Sequence, residues 1–205
     1  MSILLNSFVV LFIVVDPIGV AAIFAALIPP DNPKFQRTMA IRGTSLAALI
    51  LFVFFFSGDS LLKTLGIGLP AFRIAGGILL FLLAIDMVFA RQSGLRSTTV
   101  EEQQEAEHRR DVSVFPLAFP VIAGPGALTT VLFMASSWHT TFMFAGMIVV
   151  IFLVLSLAFL SLLFASTIVR LLGETGVNVI SRLLGLLLAS LAVQYVLDGI
   201  KESFM

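Results

Sequence analysis

The chain has 205 residues, of which 59% are hydrophobic and 12% are charged, and its formal net charge at pH 7 is +0. This composition excludes a soluble domain and is typical of a helical protein that crosses a membrane several times. The charge balance gives no reason to expect a nucleic-acid partner, and the absence of cysteine excludes disulfides, thiol catalysis and thiolate metal sites.

The first apolar segment, near residues 3–28, is long enough to cross a bilayer, since about 20 helical residues cover the hydrocarbon core. It has no basic start of the kind found in signal peptides, so we expect a retained span. Its middle reads Asp16, Pro17, Ile18 and Gly19. Aspartate followed by proline is typical of a helix N-cap and first helical residue, so the span is predicted to break and restart at Pro17.

A helix break at this depth needs a reason, because a backbone group left unpaired in hydrocarbon costs several kcal/mol. One hypothesis is a binding site, in which the N–H groups of the new half-helix hold a carboxylate. Asp16 would then add a negative charge or a proton site. The alternative is a proline kink that Asp16 caps while it packs against a neighbouring helix. The sequence leaves both open.

Two further spans are predicted near residues 39–57 and 67–90. The polar segment 91–111 follows and is rich in glutamate and arginine, which is typical of a solvated loop. Two more spans are predicted near residues 142–169 and 179–200. With the fourth span described next, this makes six.

The fourth span, near residues 114–137, is predicted to break at Gly124 and Pro125. Glycine at position 126 strips side chains from the turn and exposes backbone donors. Thr129 and Thr130 follow one turn later, where their hydroxyls could bind a ligand or bond back to their own helix. The candidate binding residues of the two breaks are Asp16, Pro17, Ile18, Gly19, Ala123, Gly124, Pro125, Gly126, Ala127, Thr129 and Thr130.

The basic residues predict how the spans are oriented. One set of loops carries eight of them, whereas the opposite side holds only Lys63 and Lys201. Because basic loops stay in the cytoplasm, both chain termini are expected on the non-cytoplasmic side. The eight are Lys34, Arg37, Arg42, Arg91, Arg96, Arg109, Arg110 and Arg170.

The two halves of the chain carry an internal repeat. Pro125 follows Pro17 by 108 positions, and the Arg-Leu-Leu-Gly sequence at Arg182 follows Arg-Ile-Ala-Gly at Arg73 by 109. Since each copy holds three spans, the second must enter the membrane from the opposite face. The predicted fold is therefore one all-α transmembrane domain of six helices, with helices 1 and 4 broken at mid-membrane. Its parts are an inverted repeat at 1–90, a cytoplasmic loop at 91–111 and a second repeat at 112–205.

Arg73 and Arg182 are predicted near the starts of the third and sixth spans, on opposite sides of the membrane. Each could extend its charge to the nearest interface. Alternatively, Arg73 could pair with Asp198 outside while Arg182 pairs with Asp86 inside, giving two gates related by the repeat.

Three segments closely resemble the MarC family of six-span inner-membrane proteins, namely residues 16–19, 69–81 and 116–127. The likeness covers almost the whole chain. It implies a multi-pass inner-membrane transporter of small neutral amino acids, such as glycine or alanine, with coupling to protons. The family motif falls on Asp16, Pro17, Ile18, Gly19, Pro120, Ala123, Gly124, Pro125, Gly126 and Ala127.

The residues themselves leave three functions open. A zwitterionic amino acid suits the breaks, because a half-helix N-terminus attracts its carboxylate and exposed carbonyls or Asp16 attract its ammonium group. The other two are a small-ion channel and a non-transporting membrane factor whose loop 91–111 docks a cytoplasmic partner. We expect no enzyme activity, cofactor or metal, and the sequence does not predict an oligomeric state.

Overall fold

The computed structural model describes residues 2–28, 32–89, 111–136 and 140–204, and all regular structure within these ranges is helical. Five helical segments are long and apolar enough to cross a membrane, or six if the bent pair Ser113–Ile122 and Pro125–Ala135 forms one span. The predicted loop 91–111 lies outside the described residues, except for Asp111. The helices are α1 Ser2–Val15, α2 Pro17–Leu27, α3 Pro33–Thr64, α4 Leu69–Phe89, α5 Ser113–Ile122, α6 Pro125–Ser136, α7 Thr141–Leu163 and α8 Ala165–Ser203.

Several helix boundaries differ from those predicted from the apolar runs, including the start of α3 and the end of α7. Helix α3 begins six residues before its predicted start, because the Asn32 side chain accepts a hydrogen bond from the Phe35 N–H at 3.1 Å and Pro33 occupies the first turn. The predicted fifth span is wrong at its end, since α7 stops at Leu163 and not at 169. The apolar run continues into the start of α8, which bends at Gly173, where φ is 66°.

The most extensive pairing of helices joins α4 to α8, which run antiparallel. Glycines allow the two backbones to approach closely. A Cβ atom at Gly77 would come within 2.8 Å of the Ala192 carbonyl oxygen, and one at Gly185 within 2.8 Å of Met87 Cβ. Gly77 therefore lies opposite Ala192 in the second half of α8, and Gly185 lies opposite Met87 near the end of α4.

The two broken spans form the centre of the molecule. In the span Ile3–Leu27, 56% of the most apolar window is buried against protein, compared with 22% in Thr175–Ser203. The middle of α5 is equally enclosed, since Leu117, Ala118 and Ile122 are fully buried. Around this centre, α3 packs on α5 and α6, α7 on α1 and α2, α4 on α6, and α8 on α2. Both breaks thus lie where protein, and not lipid, surrounds the backbone.

Candidate functional site

The first break lies at Asp16 and is capped by that residue's own side chain. Helix α2 begins at Pro17, as predicted, and the Asp16 Oδ1 atom accepts a hydrogen bond from the Gly19 N–H at 3.1 Å. The Asp16 N–H donates to the Phe12 carbonyl at 2.9 Å, and the Val20 N–H donates to the Asp16 carbonyl at 2.9 Å. The helical ladder therefore passes through the break, and α1 and α2 form one span.

Asp16 has a backbone conformation that few residues adopt easily. Its φ is 50° and its ψ is 70°, in the left-handed region, where aspartate and asparagine are among the few tolerated side chains. Only 2% of its surface is exposed. Gly19 leaves room for the carboxylate, because a Cβ atom there would lie 2.1 Å from Asp16 Oδ2. Asp16 and Gly19 thus form one local unit.

The second break, between α5 and α6, is open and sharply bent. Helices α5 and α6 meet at 57°, and α6 begins at Pro125, as predicted. Helix α5 is wound loosely, with a hydrogen bond from the Ala123 N–H to the Ala118 carbonyl five residues earlier. Phe115 and Phe119, which each precede a proline, have extended backbone angles. The proline spacing thus shapes the approach to the corner.

No side chain caps the start of α6 from position 124. The Leu128 N–H donates to the Gly124 carbonyl at 3.0 Å, which makes Gly124 the counterpart of Asp16. A Cβ atom at Gly124 would lie 2.3 Å from the Pro120 carbonyl oxygen, so the corner requires glycine. The first-turn N–H groups of Gly126 and Ala127 therefore cannot be capped as Asp16 caps α2. Such groups, with the helix dipole, favour an anion.

A small cavity lies against this corner. Its volume is about 10 Å³, room for about one water molecule. Val14 of α1 and Leu83 of α4 are the two lining residues that come from outside the α5–α6 corner. Asp16, Pro17, Ile18 and Gly19 do not line it, so only the second break reaches this space. The lining residues are Val14, Leu83, Pro120, Val121, Ile122, Gly124, Pro125, Gly126 and Ala127.

The two threonines of α6 are buried and support the helix. The Thr130 hydroxyl donates to the Gly126 carbonyl at 2.8 Å, which is the back-bonding alternative considered above. The Thr129 methyl group packs against Gly76 of α4, where a Cβ atom would come within 2.0 Å of it. Neither residue lines the cavity.

Arg73 pairs with Glu202, whereas the gate hypothesis, one of the two alternatives above, paired it with Asp198. Its guanidinium Cζ lies 4.3 Å from the centre of the Phe133 ring, and its buried Nε has no hydrogen-bond partner. Asp198 instead accepts a hydrogen bond from Gln194 at 2.8 Å. Glu202 is one helical turn beyond Asp198 on α8, and sequence alone does not fix which turn faces α4.

The predicted inner pair of Arg182 and Asp86 is not formed. Arg182 is exposed on α8, and among the described residues it has no ion-pair partner. Asp86 is half-buried on α4 and has an interaction of its own. The two arginines related by the repeat therefore have different surroundings.

Asp111 holds the start of α5. It accepts hydrogen bonds from the Ser113 hydroxyl and from the Ser113 N–H, the latter at 3.0 Å. These bonds, helped by Arg42 at 3.3 Å, hold the pKa of the Asp111 carboxyl below its usual value. Asp111 thus ties the approach to the second break to α3, and the sequence analysis missed it.

The comparisons with known proteins agree with this architecture. The chain matches the MarC family integral membrane proteins over residues 1–204. The chain belongs to the MarC family. This MarC protein is 36% identical over 203 residues to a UPF0056 membrane protein of Buchnera aphidicola, covering 99% of this chain and 94% of that one. It is 33% identical over 201 residues to the inner membrane protein YhgN of Escherichia coli, covering 98% of both chains.

A third relative is archaeal. It is a UPF0056 membrane protein of Archaeoglobus fulgidus, 34% identical over 206 residues, with 100% of this chain and 95% of that one covered. No solved structure matches this MarC protein. The names of these relatives state a membrane location and no substrate. The substrate must therefore be inferred from the second break.

Proposed function

We propose that this MarC protein is a multi-pass inner-membrane secondary transporter of small neutral amino acids such as glycine and alanine. One observation carries the proposal: the start of α6, where Gly124 has no side chain to cap the helix, opens on a cavity at a 57° bend in a central span. Broken helices of this kind, buried in protein, hold the substrates of many transporters. The name of the relative YhgN supports the inner membrane as the location.

The chemistry of the corner matches a small zwitterion. The N–H groups of Gly126 and Ala127 suit the carboxylate, and the carbonyls at the end of α5 suit the ammonium group. Val14 and Leu83 line the cavity, so an opened site would accept a short apolar side chain at most. A larger substrate would displace these buried residues, at the cost of overpacking.

The cavity as it stands is closed. Its volume of about 10 Å³ is less than glycine needs, since glycine has five non-hydrogen atoms. Entry therefore requires the α5–α6 corner or its neighbours to move. A site that opens for each molecule in turn is expected of a transporter and not of a permanently open pore.

The packing of the helices supports two inverted repeats. If α1 to α4 are exchanged for α5 to α8 in order, the main contacts map onto one another: α3 with α5 becomes α7 with α1, and α4 with α6 becomes α8 with α2. The antiparallel α4–α8 pair maps onto itself, as a two-fold axis in the membrane plane requires. The first hydrogen bonds of α2 and α6 are 108 positions apart, the same offset as the prolines. With six spans and the basic loops in the cytoplasm, we place both termini on the non-cytoplasmic side.

We also propose that transport is coupled to protons. Asp16 is the one acidic side chain among the described residues that is fully enclosed in the core, and it sits at mid-span. It is therefore our candidate for a proton carrier, although its hydrogen bond to Gly19 is a structural role that asparagine would also fill. If Asp16 carries the proton, Asp16→Asn should remove the pH dependence of transport. If Asp16 only caps α2, the same variant should leave that dependence unchanged.

The test is flux of labelled glycine and alanine into liposomes. We expect saturable flux for the wild type and a loss of about tenfold or more in Gly126→Ala, whose methyl group would enter the cavity within 3.0–3.2 Å of Leu80, Leu83 and Val14. The loss should be larger for alanine than for glycine. Gly176→Ala is the matched control, because its nearest contact, Leu172 Cβ at 3.2 Å, is similarly close but lies outside the break.

Three results would overturn the proposal. Flux of small amino acids no greater than in empty liposomes would exclude amino acid transport. Non-saturating unit conductance would favour a small-ion channel. A harmless Gly126→Ala, together with loss of function on deletion of 91–110, would favour a membrane factor with a cytoplasmic partner.

A further inference from the structure

Arg73 is held rigidly but its hydrogen-bonding capacity is only partly used. Only 13% of its side chain is exposed, and its guanidinium stacks on Phe133 while one terminal nitrogen pairs with Glu202. The buried Nε–H has no partner. A buried donor without an acceptor is costly, and a guanidinium readily donates two parallel bonds to one carboxylate. A carboxylate that accepts hydrogen bonds from both Nε and a terminal nitrogen of Arg73 would therefore satisfy the guanidinium better than Glu202 does.

The surroundings of Arg73 favour an anion. Arg73 directly follows the first turn of α4, and that turn contains no acidic residue to offset the positive end of the helix dipole. The Phe133 ring, against which the Tyr195 ring packs at a tilt of 37° and 5.0 Å between centroids, forms an apolar wall below the guanidinium. A low-polarity wall strengthens the attraction between the guanidinium and any carboxylate that reaches it.

Glu202 is the exchangeable partner. Its side chain is 39% exposed, three times the exposed fraction of Arg73, and it lies in the last turn of α8, which ends at Ser203. Gly199 brings this turn onto α4, since a Cβ atom there would lie 2.8 Å from the Pro70 carbonyl oxygen. Terminal helical turns open at low cost, so Glu202 can leave while Arg73 stays on its ring.

Arg73 and the second break lie at opposite ends of the contact between α4 and α6. Along one face of α6, Gly126 packs on Leu83 of α4, then Thr129 on Gly76. Phe133, one turn further along that face, packs on Arg73. Seven residues separate Gly126 from Phe133, or about 10 Å along the helix.

We propose that Arg73 is a second carboxylate-binding site, in series with the start of α6, at which the carboxylate of a small amino acid replaces Glu202. Glu202 is then an internal competitor that closes the site when no substrate is present. This inference rests on the proposed function for its physiological ligand. The site itself, a guanidinium that exchanges one carboxylate for another, is testable without transport.

Tyr195 provides the reporter, because it is the only tyrosine in the chain. In full-length protein labelled with 3-fluorotyrosine and placed in lipid nanodiscs, the single fluorine signal reports on the Phe133–Arg73 cluster. The probes are propionate, glycine, and ethylamine as an amine without a carboxylate. We expect propionate and glycine to shift the signal saturably, whereas ethylamine should not.

The variants separate exchange from a general charge effect. Glu202→Gln should lower the apparent Kd for propionate about three- to tenfold, because the competitor is gone. Asp198→Asn is the matched control, since it removes an acid one turn earlier that pairs with Gln194. It should leave the Kd unchanged. Arg73→Gln should abolish the shift.

The inference fails if Glu202→Gln leaves the Kd unchanged, or if Asp198→Asn lowers it equally. If Arg73→Gln does not fold, the Glu202→Gln and Asp198→Asn pair still decides the question. If the wild type transports amino acids but Glu202→Gln leaves the apparent Kd for propionate unchanged, the Arg73 site is rejected and the proposed function stands. If propionate replaces Glu202 at Arg73 but the protein transports no amino acid, the Arg73 site stands and the proposed function is rejected.

Discussion

The two central spans are interrupted at matching places, yet the interruptions have different consequences. At the first, the Asp16 carboxylate caps the new helix through the Gly19 N–H, and α1 and α2 remain one span. At the second, Gly124 offers no side chain and the chain bends by 57°. The cavity lies at the second break alone.

The difference shows how the two copies of a repeat can have different roles. Where a carboxylate of the chain itself caps the helix start, no external anion is needed to satisfy the N–H groups there. A break without such a cap presents positive N–H groups that an external carboxylate can satisfy. We therefore interpret the first break as the structural copy and the second as the binding copy. The following variants test that division.

The largest effect is expected from Gly124→Ala. The new Cβ atom would lie 2.3 Å from the Pro120 carbonyl oxygen, and because this contact is with backbone, the corner itself must shift. We expect the free energy of unfolding to fall by about 3 kcal/mol, measured by thermal unfolding in detergent. Gly68→Ala is the control, since its nearest neighbour would be 3.6 Å away. A Gly124→Ala protein as stable as the control would show that the corner does not require glycine.

The next effect is expected at the first break. Asp16→Ala loses the cap and places alanine at a φ of 50°, which together should cost about 2 kcal/mol of unfolding free energy. Asp16→Asn should stay within about 0.5 kcal/mol of the wild type, because its amide oxygen can still accept from Gly19 and asparagine tolerates this conformation. If asparagine destabilises as much as alanine, the charge of Asp16 and not its cap holds the break together. The same two variants, assayed for flux across pH, test the proton-carrying role.

A double-mutant cycle can isolate the Asp16–Gly19 unit. In the wild type, Gly19→Ala drives a methyl group against the Asp16 carboxylate and should be destabilising. In the Asp16→Ala background the clash is gone, and alanine's higher helix propensity should make the same change neutral or stabilising. We expect an interaction energy of about 1 kcal/mol from thermal unfolding of the four proteins. Additive effects would mean that the two residues do not act together.

The smallest effect is expected at Asp111, which anchors the approach to the second break. Its pKa is lowered in the folded state, chiefly by the Ser113 hydrogen bonds, so it stabilises the fold above its unfolded-state pKa. That contribution is lost as pH falls through the folded-state pKa, below the usual aspartate range. At pH 7, Asp111→Asn should cost less than about 1 kcal/mol, since 41% of the Asp111 side chain is exposed and solvent screens it. The gap between wild type and variant should close in acid, and a gap that widens there would contradict the assignment.

The sequence was sufficient where a single residue type determines the backbone. Pro17 and Pro125 fix helix starts by themselves, and the structure confirms both. The sequence was insufficient where the answer depends on how two helices are placed against each other. Asp198 and Glu202 are one turn apart, and only the contact of α8 with α4 at Gly199 decides which of them reaches Arg73.

The bend at the second break shows the same limit. The glycine and proline at 124–125 predict an interruption, but they fix neither the 57° angle nor the loose winding of α5. The end of α7 at Leu163 was missed because the residues after it are also apolar and helical. Hydrophobicity cannot mark a boundary that lies inside a hydrophobic run.

The most direct measurement is the position of bound substrate relative to the two helix starts. Solid-state NMR on the wild type in lipid, with glycine labelled with carbon-13 at its carboxyl group and the protein labelled with nitrogen-15, measures this distance. A hydrogen bond predicts the carboxyl carbon within about 4 Å of the amide nitrogen of Gly126 or Ala127. A carboxyl carbon found instead beside the amide of Gly19, or near neither helix start, would contradict the account.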